Sequence, residues 1–143
     1  MAHITETVAM YSELIAQTAL LANGWITHVP RTKEAYDILA TNPVTGRAEK
    51  VQVKTIRRRT DRNGDLVIYT RKGNGTTYDL AEADWIAGVL AEDGAPPRVF
   101  LLENTCQSEY WCVESRLAER WTELPISLDR RMLALLEAET TAA

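Results

Sequence analysis

The most constraining feature of the sequence is a run of alternating side chains at residues 50–56, which follows a strong turn signal. Valine, glutamine, valine and lysine occupy positions 51–54, and successive side chains point to opposite faces of a β-strand. Val51 and Val53 should therefore face a core, while Gln52 and Lys54 project together from the other face. The pattern predicts two polar side chains side by side on one strand.

The turn at residues 41–46 joins this strand to an earlier apolar run. Its sequence, Thr-Asn-Pro-Val-Thr-Gly, is rich in residues that favour turns. The run before it, Tyr-Asp-Ile-Leu-Ala at residues 36–40, should pair with the strand as an antiparallel hairpin. Such pairing brings the carboxylate of Asp37 close to the amide of Gln52 and the ammonium group of Lys54.

Helical patterns lie at both ends of the chain. The first helix should run to about Ala22, with Thr5 and Thr7 as alternative N-caps and Asn23-Gly24 as its stop signal. Its predicted apolar stripe is Val8, Tyr11, Ile15, Thr18 and Ala22. A short helix is predicted at 115–121 and a longer one from Ser127 to Glu139. The apolar face of the longer helix is predicted as Leu128, Met132, Leu135 and Leu136.

Between the helices, the sequence predicts four or five strands. Residues 25–29, 84–90, 99–102 and 110–113 are short apolar or β-branched runs. A turn at 61–65 should return the chain to 66–69 and extend the hairpin into a meander. With 143 residues, the chain has the size of one domain, spanning residues 1–143. We expect an α/β or α+β fold, in which helices sandwich a β-sheet.

The charge distribution marks out one basic region. The net charge of −4 by itself argues against a nucleic-acid partner, because phosphate binding depends on Lys and Arg. Residues 1–72, however, hold 11 basic and 7 acidic residues, whereas residues 73–143 hold 5 and 13. Nine basic residues fall within 47–72 alone. They are either phosphate contacts or solvated charges that protect a strand edge.

The cluster around Asp37 has the groups that phosphodiester hydrolysis requires. A divalent cation neutralises charge in the transition state and lowers the pKa of an attacking water. Magnesium takes oxygen ligands and keeps several waters, so one or two carboxylates with an amide oxygen suffice. Asp37 is the best candidate ligand. Lys54 would orient the water or stabilise developing negative charge, and Gln52 would offer a neutral oxygen.

The order of these motifs resembles the PD-(D/E)XK endonucleases. A Glu in the first helix is followed by Gly-Trp and a Pro, then by Tyr-Asp-Ile-Leu, then by Val-Gln-Val-Lys-Thr. This order is most similar to the Gln-x-Lys branch, which includes group I intron homing endonucleases and Holliday junction resolvases. The resemblance covers roughly residues 6–56. It implies a restriction-endonuclease-like fold with a central mixed β-sheet, and a metal-dependent DNA endonuclease.

The resemblance also assigns the site residues. Asp37 matches the metal-binding Asp, Gln52 the Glu-or-Gln position, Lys54 the catalytic Lys and Glu13 the acidic residue of the first helix. All four would be catalytic, and Glu13, Asp37 and Gln52 would hold Mg²⁺ or, as a substitute, Mn²⁺. Glu6 is seven residues from Glu13 on the same helix face, so either could reach the metal; we prefer Glu13 by analogy with the family.

Two departures from the family pattern bear on activity. Tyr rather than Pro precedes Asp37, which is common in the family. Gln52 replaces the usual acid, which removes one negative charge from the site and could weaken metal affinity. The alternative function is therefore a catalytically inactive nuclease-like module that binds nucleic acid or a protein partner.

DNA is the expected partner of an active enzyme. The predicted phosphate contacts are Arg31, Lys33, Lys50, Arg57, Arg58, Arg59, Arg62, Arg71 and Lys72. Because cutting both strands needs two active sites, we expect a homodimer or higher homo-oligomer. The apolar face of the last helix is one candidate interface, although packing on the domain's own sheet also accounts for it.

Other classes of protein are disfavoured by the sequence. No run approaches the roughly 18 apolar residues that a membrane span needs, and residues 1–10 lack the features of a secretory signal. We expect a cytoplasmic protein. Cys106 and Cys112 are too few for a structural zinc site and are interpreted as two ordinary thiols.

Overall fold

The computed structural model describes residues 1–142 as three α-helices and nine β-strands. The helices are α1 (Ile4–Ala22), α2 (Leu117–Arg120) and α3 (Arg130–Ala142). The strands are β1 (Ile26–His28), β2 (Ile38–Thr41), β3 (Ala48–Thr55), β4 (Arg57–Arg59), β5 (Asp65–Tyr69), β6 (Trp85–Leu90), β7 (Arg98–Glu103), β8 (Glu109–Cys112) and β9 (Thr122–Leu124). Two short 3₁₀ turns lie at Thr60–Arg62 and Glu114–Arg116.

Six strands form a mixed central sheet in the order β1-β2-β3-β6-β7-β9. All neighbours are antiparallel except β3 and β6, which run parallel. The predicted hairpin is confirmed: β2 pairs with β3, and Ile38 lies opposite Val51. The predicted fold class, a central mixed sheet flanked by helices, is confirmed as well.

The predicted turn at 61–65 is confirmed, since β4 and β5 pair antiparallel across it. The predicted meander is wrong, because these two strands leave the central sheet. They form a separate three-stranded sheet with β8, in the order β4-β5-β8. The break falls at Ile56, whose backbone N–H donates to the carbonyl of Val89 at 2.8 Å while its side chain is buried. The second sheet packs closely on the first: a Cβ at Gly88 would lie 2.6 Å from Cδ1 of Ile68. A local strand pattern cannot distinguish one sheet from two packed sheets.

Helix α1 covers the other face of the central sheet through small side chains. Ala16, Ala19 and Leu20 are fully buried against a cluster that includes Val51 and Val99. The predicted apolar stripe is mostly wrong, since Val8, Tyr11 and Thr18 are exposed. Small residues allow the helix to approach the sheet closely, so the larger side chains face outwards. None of the three helices in residues 1–142 is long and apolar enough to cross a membrane.

The ends of the helices differ from the predictions in detail. The N-cap of α1 is His3, whose Nδ1 accepts a hydrogen bond from the backbone N–H of Thr5 at 3.2 Å, so neither Thr5 nor Thr7 caps the helix. Asp129 rather than Ser127 precedes α3, and its Oδ1 accepts from the N–H of Met132 at 3.0 Å. A carboxylate at this position also complements the partial positive charge of the helix start.

The apolar face of α3 is only partly covered. Leu133 and Leu136 approach Gly24, where a Cβ would meet Cδ1 of Leu136 at 2.8 Å. Leu128 and Leu135, two members of the predicted apolar face, are exposed. Helix α3 therefore contacts the loop after α1 through Leu133 and Leu136, of which only Leu136 belongs to the predicted apolar face. Cys106 and Cys112 are both free thiols, exposed and buried respectively.

Candidate active site

Asp37 lies at the start of β2 and is held in place by β3. Its backbone N–H donates to the carbonyl of Val51 at 2.9 Å, and its Oδ2 accepts from the backbone N–H of Val53 at 2.8 Å. Continuing the register of the hairpin places Asp37 opposite Gln52. The backbone of Asp37 is therefore held by Val51 and its carboxylate by Val53, so the orientation of the carboxylate is set before any ligand arrives.

Glu13 brings a second carboxyl group to Asp37 from helix α1. Partial burial, repulsion from Asp37 and a hydrogen bond to Asp37 raise the pKa of Glu13 from 4.5 to about 7. Burial also raises the pKa of Asp37, against the opposing effects of the Val53 N–H, the Glu13 hydrogen bond and the charge of Lys54. Burial, together with the charge of Asp37 acting on Glu13, therefore disfavours the fully ionised form of the carboxyl pair.

Gln52 and Lys54 lie two residues apart on β3, beside the carboxyl pair. Gln52 is only 8% exposed, and its side-chain amide makes no hydrogen bond to residues 1–142. Because none of the fully buried polar side-chain atoms of these residues is unpaired, the amide must be open to the cavity that Gln52 lines. The Nζ of Lys54 lies 5.2 Å from the ring centroid of Tyr78, and its charge acts on Asp37. An unpaired amide and a positioned ammonium group thus flank the two carboxyl groups.

All four predicted site residues line one small cavity of about 260 Å³. It is lined by Ala9, Ser12, Glu13, Asp37, Gln52, Val53, Lys54 and Thr55. Glu6 is not among the lining residues, so the structure brings Glu13 rather than Glu6 to the candidate site.

Two lining residues, Ser12 and Thr55, were not anticipated from the sequence. Their hydroxyl groups are hydrogen-bonded to one another at 2.7 Å, which joins α1 to β3 next to Glu13. The only sequence signal for them is their position beside Glu13 and Lys54, and that signal is too common to be informative.

The donor set of this cavity fits a hard divalent cation. Two carboxyl groups and an amide oxygen are the ligands that Mg²⁺ and Mn²⁺ accept, with water completing the coordination. Burial is the main cause of the raised pKa values of Glu13 and Asp37, with repulsion from Asp37 adding to that of Glu13, and a bound cation would favour the charged form of both groups. Within residues 1–142, no group of three His, Cys, Asp or Glu side chains is close enough to form a fuller metal cluster.

Four of the nine predicted phosphate contacts already pair with carboxylates. The pairs are Arg58 with Glu92 and Glu114, Arg59 with Asp61, Arg62 with Glu109, and Lys72 with Glu82. The first of these residues, Arg58, lowers the pKa of both its partners. To bind DNA, such residues would have to exchange a carboxylate for a phosphate, which surface ion pairs permit at small cost.

The remaining five predicted contacts are not in ion pairs within the described residues. Lys50 donates from Nζ to the carbonyl of Ala81 at 2.8 Å, and Arg57 lies over the ring of Tyr69 at 5.6 Å. Arg57 also lines a second cavity of about 390 Å³, which shares Lys54 and Thr55 with the first. The other three, Arg31, Lys33 and Arg71, are exposed. Arg57 thus lines a cavity that adjoins the one containing the carboxyl pair.

The overall architecture is that of a nuclease-like fold. It matches the solved structure of a bacterial homing endonuclease, I-Ssp6803I, with a TM-score of 0.64 and 16% sequence identity over 97% of each chain. At this identity the similarity shows a shared fold. No protein-family model and no curated protein sequence matches the chain.

Proposed function

We propose that the protein is a metal-dependent DNA endonuclease that hydrolyses phosphodiester bonds. The observation that carries the proposal is the carboxyl pair of Glu13 and Asp37, whose pKa values are raised beside Lys54 in one cavity. Such perturbed groups cluster at functional sites. The fold shared with a homing endonuclease supports the same conclusion. The resemblance of the sequence motifs to the PD-(D/E)XK enzymes adds the assignment of roles.

The three oxygen donors would hold the cation. Asp37 offers the carboxylate oxygen that the Val53 N–H does not occupy, Glu13 offers its carboxylate after losing its proton, and Gln52 offers its unpaired amide oxygen. When bound, a divalent ion supplies charge neutralisation at the phosphate and a lowered pKa for the attacking water. Mg²⁺ is the expected ion, and Mn²⁺ a substitute.

Lys54 supplies the positive charge of the site. Its ammonium group is held between the ring of Tyr78 and the charge of Asp37. From there it can donate hydrogen bonds to a phosphate oxygen, where negative charge develops as the bond breaks. Because this donor is already in position, the protein does not have to reorganise around the phosphate during the reaction.

DNA would approach along the basic residues next to the cavity. Arg57 and the exposed Arg31, Lys33 and Arg71 are free to contact phosphates, and binding should weaken steeply as salt rises. The expected products carry a 5′-phosphate and a 3′-hydroxyl, as the resemblance implies. Cutting both strands requires two copies of the site, so the active form would be a homodimer or a higher homo-oligomer.

The decisive experiment is nicking of supercoiled plasmid DNA with and without Mg²⁺ or Mn²⁺. Wild-type protein should nick the plasmid only with metal, and the Asp37→Asn and Lys54→Met variants should be inactive although folded. Equal nicking by all three proteins would reveal a contaminant and reject the proposal. DNA binding without nicking under any metal would favour the inactive module instead. Four-way junctions offered beside linear duplex would distinguish a resolvase from a duplex endonuclease.

A further inference from the structure

The outward face of α1 carries an apolar stripe with the spacing of a coiled-coil seam. Successive members are alternately three and four residues apart: Ile4, Thr7, Tyr11, Leu14, Thr18 and Leu21. This spacing has the 3.5-residue period that keeps a seam facing a partner helix. Ile4 is 67% exposed, Leu14 56% and Leu21 52%. The buried face of the helix is a different one, formed by Ala16, Ala19 and Leu20.

The two threonine hydroxyls on the stripe are already satisfied within the helix. The hydroxyl of Thr18 donates to the carbonyl of Leu14 at 2.8 Å, and the hydroxyl of Thr7 donates to the carbonyl of His3 at 3.4 Å. Neither threonine therefore needs water, and both can be covered without leaving their hydroxyl groups unpaired. The methyl groups of both threonines remain available for packing.

The stripe also has no charged member in a chain whose net charge is −4. The two acidic residues of α1, Glu6 and Glu13, lie on another side of the helix, and Glu13 points into the carboxyl pair. A second copy of the chain can therefore approach this face without bringing like charges together. The helix has no Lys or Arg that would match an acidic partner or an anionic lipid surface.

The order of the side chains is symmetric about the middle of the helix. An antiparallel pairing centred between Tyr11 and Leu14 places Ile4 against Leu21 of a second copy and Thr7 against its Thr18. Tyr11 then meets Leu14, and every contact joins complementary seam positions. A two-fold axis requires this property, because the same patch must fit itself.

We propose that α1 forms a two-fold interface in which it packs antiparallel against α1 of a second copy. The interface is independent of the nuclease proposal, since it rests on the outer stripe alone. None of the six stripe residues lines the cavity of Glu13 and Asp37, so the pairing does not involve the walls of that cavity, whereas Ile4 belongs both to the stripe and to the wall of the second cavity. The pairing would fix the separation of the two sites because each is partly built from the pairing helix.

The size of the stripe sets the expected affinity between the two copies. A helix of 19 residues is about 28 Å long, and a seam along it covers on the order of a few hundred Å² per copy. That area lies at the low end of specific interfaces, so the dimer should dissociate in the micromolar range. Mass measurements should therefore span about 1 to about 200 µM protein.

Substitutions on the two exposed helix faces test the assignment. Analytical ultracentrifugation should find wild-type protein shifting from monomer to dimer over this range. Leu14→Glu should remain monomeric, because it buries a charge in the middle of the seam. Leu135→Glu is the matched control on α3, where Leu135 is 63% exposed, and should dimerise like the wild type. Circular dichroism verifies that both variants are folded.

A monomeric wild type at the highest concentration would overturn the proposal. Dissociation by Leu135→Glu but not by Leu14→Glu would assign the interface to α3 and would overturn it too. Capture of a lipid vesicle or of another protein by a monomeric wild type would show that the stripe has a different occupant.

Cross-linking tests the antiparallel arrangement without disrupting the seam. In a Cys106→Ser background, which removes the exposed thiol, the double variant Thr7→Cys/Thr18→Cys should form a covalent dimer under mild oxidation. The single variant Thr7→Cys should not, because Thr7 faces Thr18 and not itself. A covalent dimer from Thr7→Cys alone would indicate a parallel pairing and overturn the proposal.

Discussion

The carboxylate of Asp37 accepts a 2.8 Å hydrogen bond from the backbone N–H of Val53, so the central residue of the candidate site is also part of the sheet. The bond occupies Oδ2 and leaves the second oxygen towards the cavity. Asp37 therefore has a structural role and a proposed ligand role, and substitutions can separate the two.

Asn and Ala at position 37 should have different effects on stability. Asp37→Asn keeps an oxygen that can accept from the Val53 N–H, so it should fold normally and lose metal-dependent nicking. Asp37→Ala leaves that N–H unpaired and should lose about 1–3 kcal/mol of unfolding free energy in addition. Urea unfolding of both variants measures the difference. Equal stability of the two variants would contradict the structural role.

Stability without metal should fall as the pH rises, because of Glu13. A carboxyl with a raised pKa holds its proton more tightly in the folded than in the unfolded state. Its stabilising contribution is complete below pH 4.5 and is lost as the pH rises to about 7, with a plateau above. The melting temperature should decrease over that interval.

Glu13→Gln should remove most of this decrease, since it cannot ionise, and should melt higher than wild type at pH 8. Glu6→Gln is the control, because Glu6 does not line the cavity and should leave the pH profile unchanged. Melting temperatures measured at pH 5 and pH 8 give the pH dependence of stability for each variant. A flatter pH profile in Glu6→Gln than in Glu13→Gln would indicate that the wrong glutamate has been assigned.

Gln52→Glu should bind metal more tightly at the expense of stability without metal. A third carboxylate restores the charge that the family pattern contains, and we expect Mn²⁺ affinity to rise about tenfold. At 8% exposure, the new charge lies beside two carboxyl groups with raised pKa values, so the metal-free protein should melt lower at pH 8. Calorimetric titration with Mn²⁺ measures the affinity, and an unchanged or weaker affinity would exclude position 52 from the metal site.

Lys54→Met should lower the rate of nicking about 100-fold at saturating DNA, because it removes a charged donor at the phosphate. Methionine keeps the unbranched chain that packs on Tyr78. Lys72 is a useful comparison, since its Nζ lies 5.4 Å from the same ring but pairs with Glu82. Lys72→Met should leave the rate at saturating DNA unchanged. If both variants lost activity equally, the ring contact and not the position of Lys54 would be responsible.

Arg57 and Arg58 are neighbours with different expected roles in DNA binding. Arg57→Gln should reduce the slope of log affinity against log salt by about 1, as expected for one lost phosphate contact. Arg58→Gln should leave the slope unchanged, because Glu92 and Glu114 already hold this side chain. Fluorescence anisotropy with a labelled duplex at several salt concentrations gives the slopes, and a larger loss in Arg58→Gln would reverse the assignment.

The hairpin and its polar cluster could be predicted because they depend on neighbouring residues. The alternation at residues 50–56 sets which side chains share a face, and the turn at 41–46 sets the register that puts Asp37 beside Gln52. The start of the three-stranded sheet could not be predicted in this way. That sheet depends on the pairing of β5 with β8, which lies about forty residues further along the chain. The parallel pairing of β3 with β6 in the central sheet likewise joins distant strands, and such contacts leave no local signal.

Helix α1 likewise has some features that the sequence predicts and others that only the tertiary structure decides. Its helical period and its end at Asn23 and Gly24 follow from the sequence alone, but both of its faces carry apolar residues, so hydrophobic periodicity could not decide which face is buried. Only the tertiary structure decides, because Ala16 and Ala19 admit close contact with the sheet while Leu14 and Leu21 would hold the helix away. That choice turns Glu13 towards Asp37 and leaves the larger side chains outside.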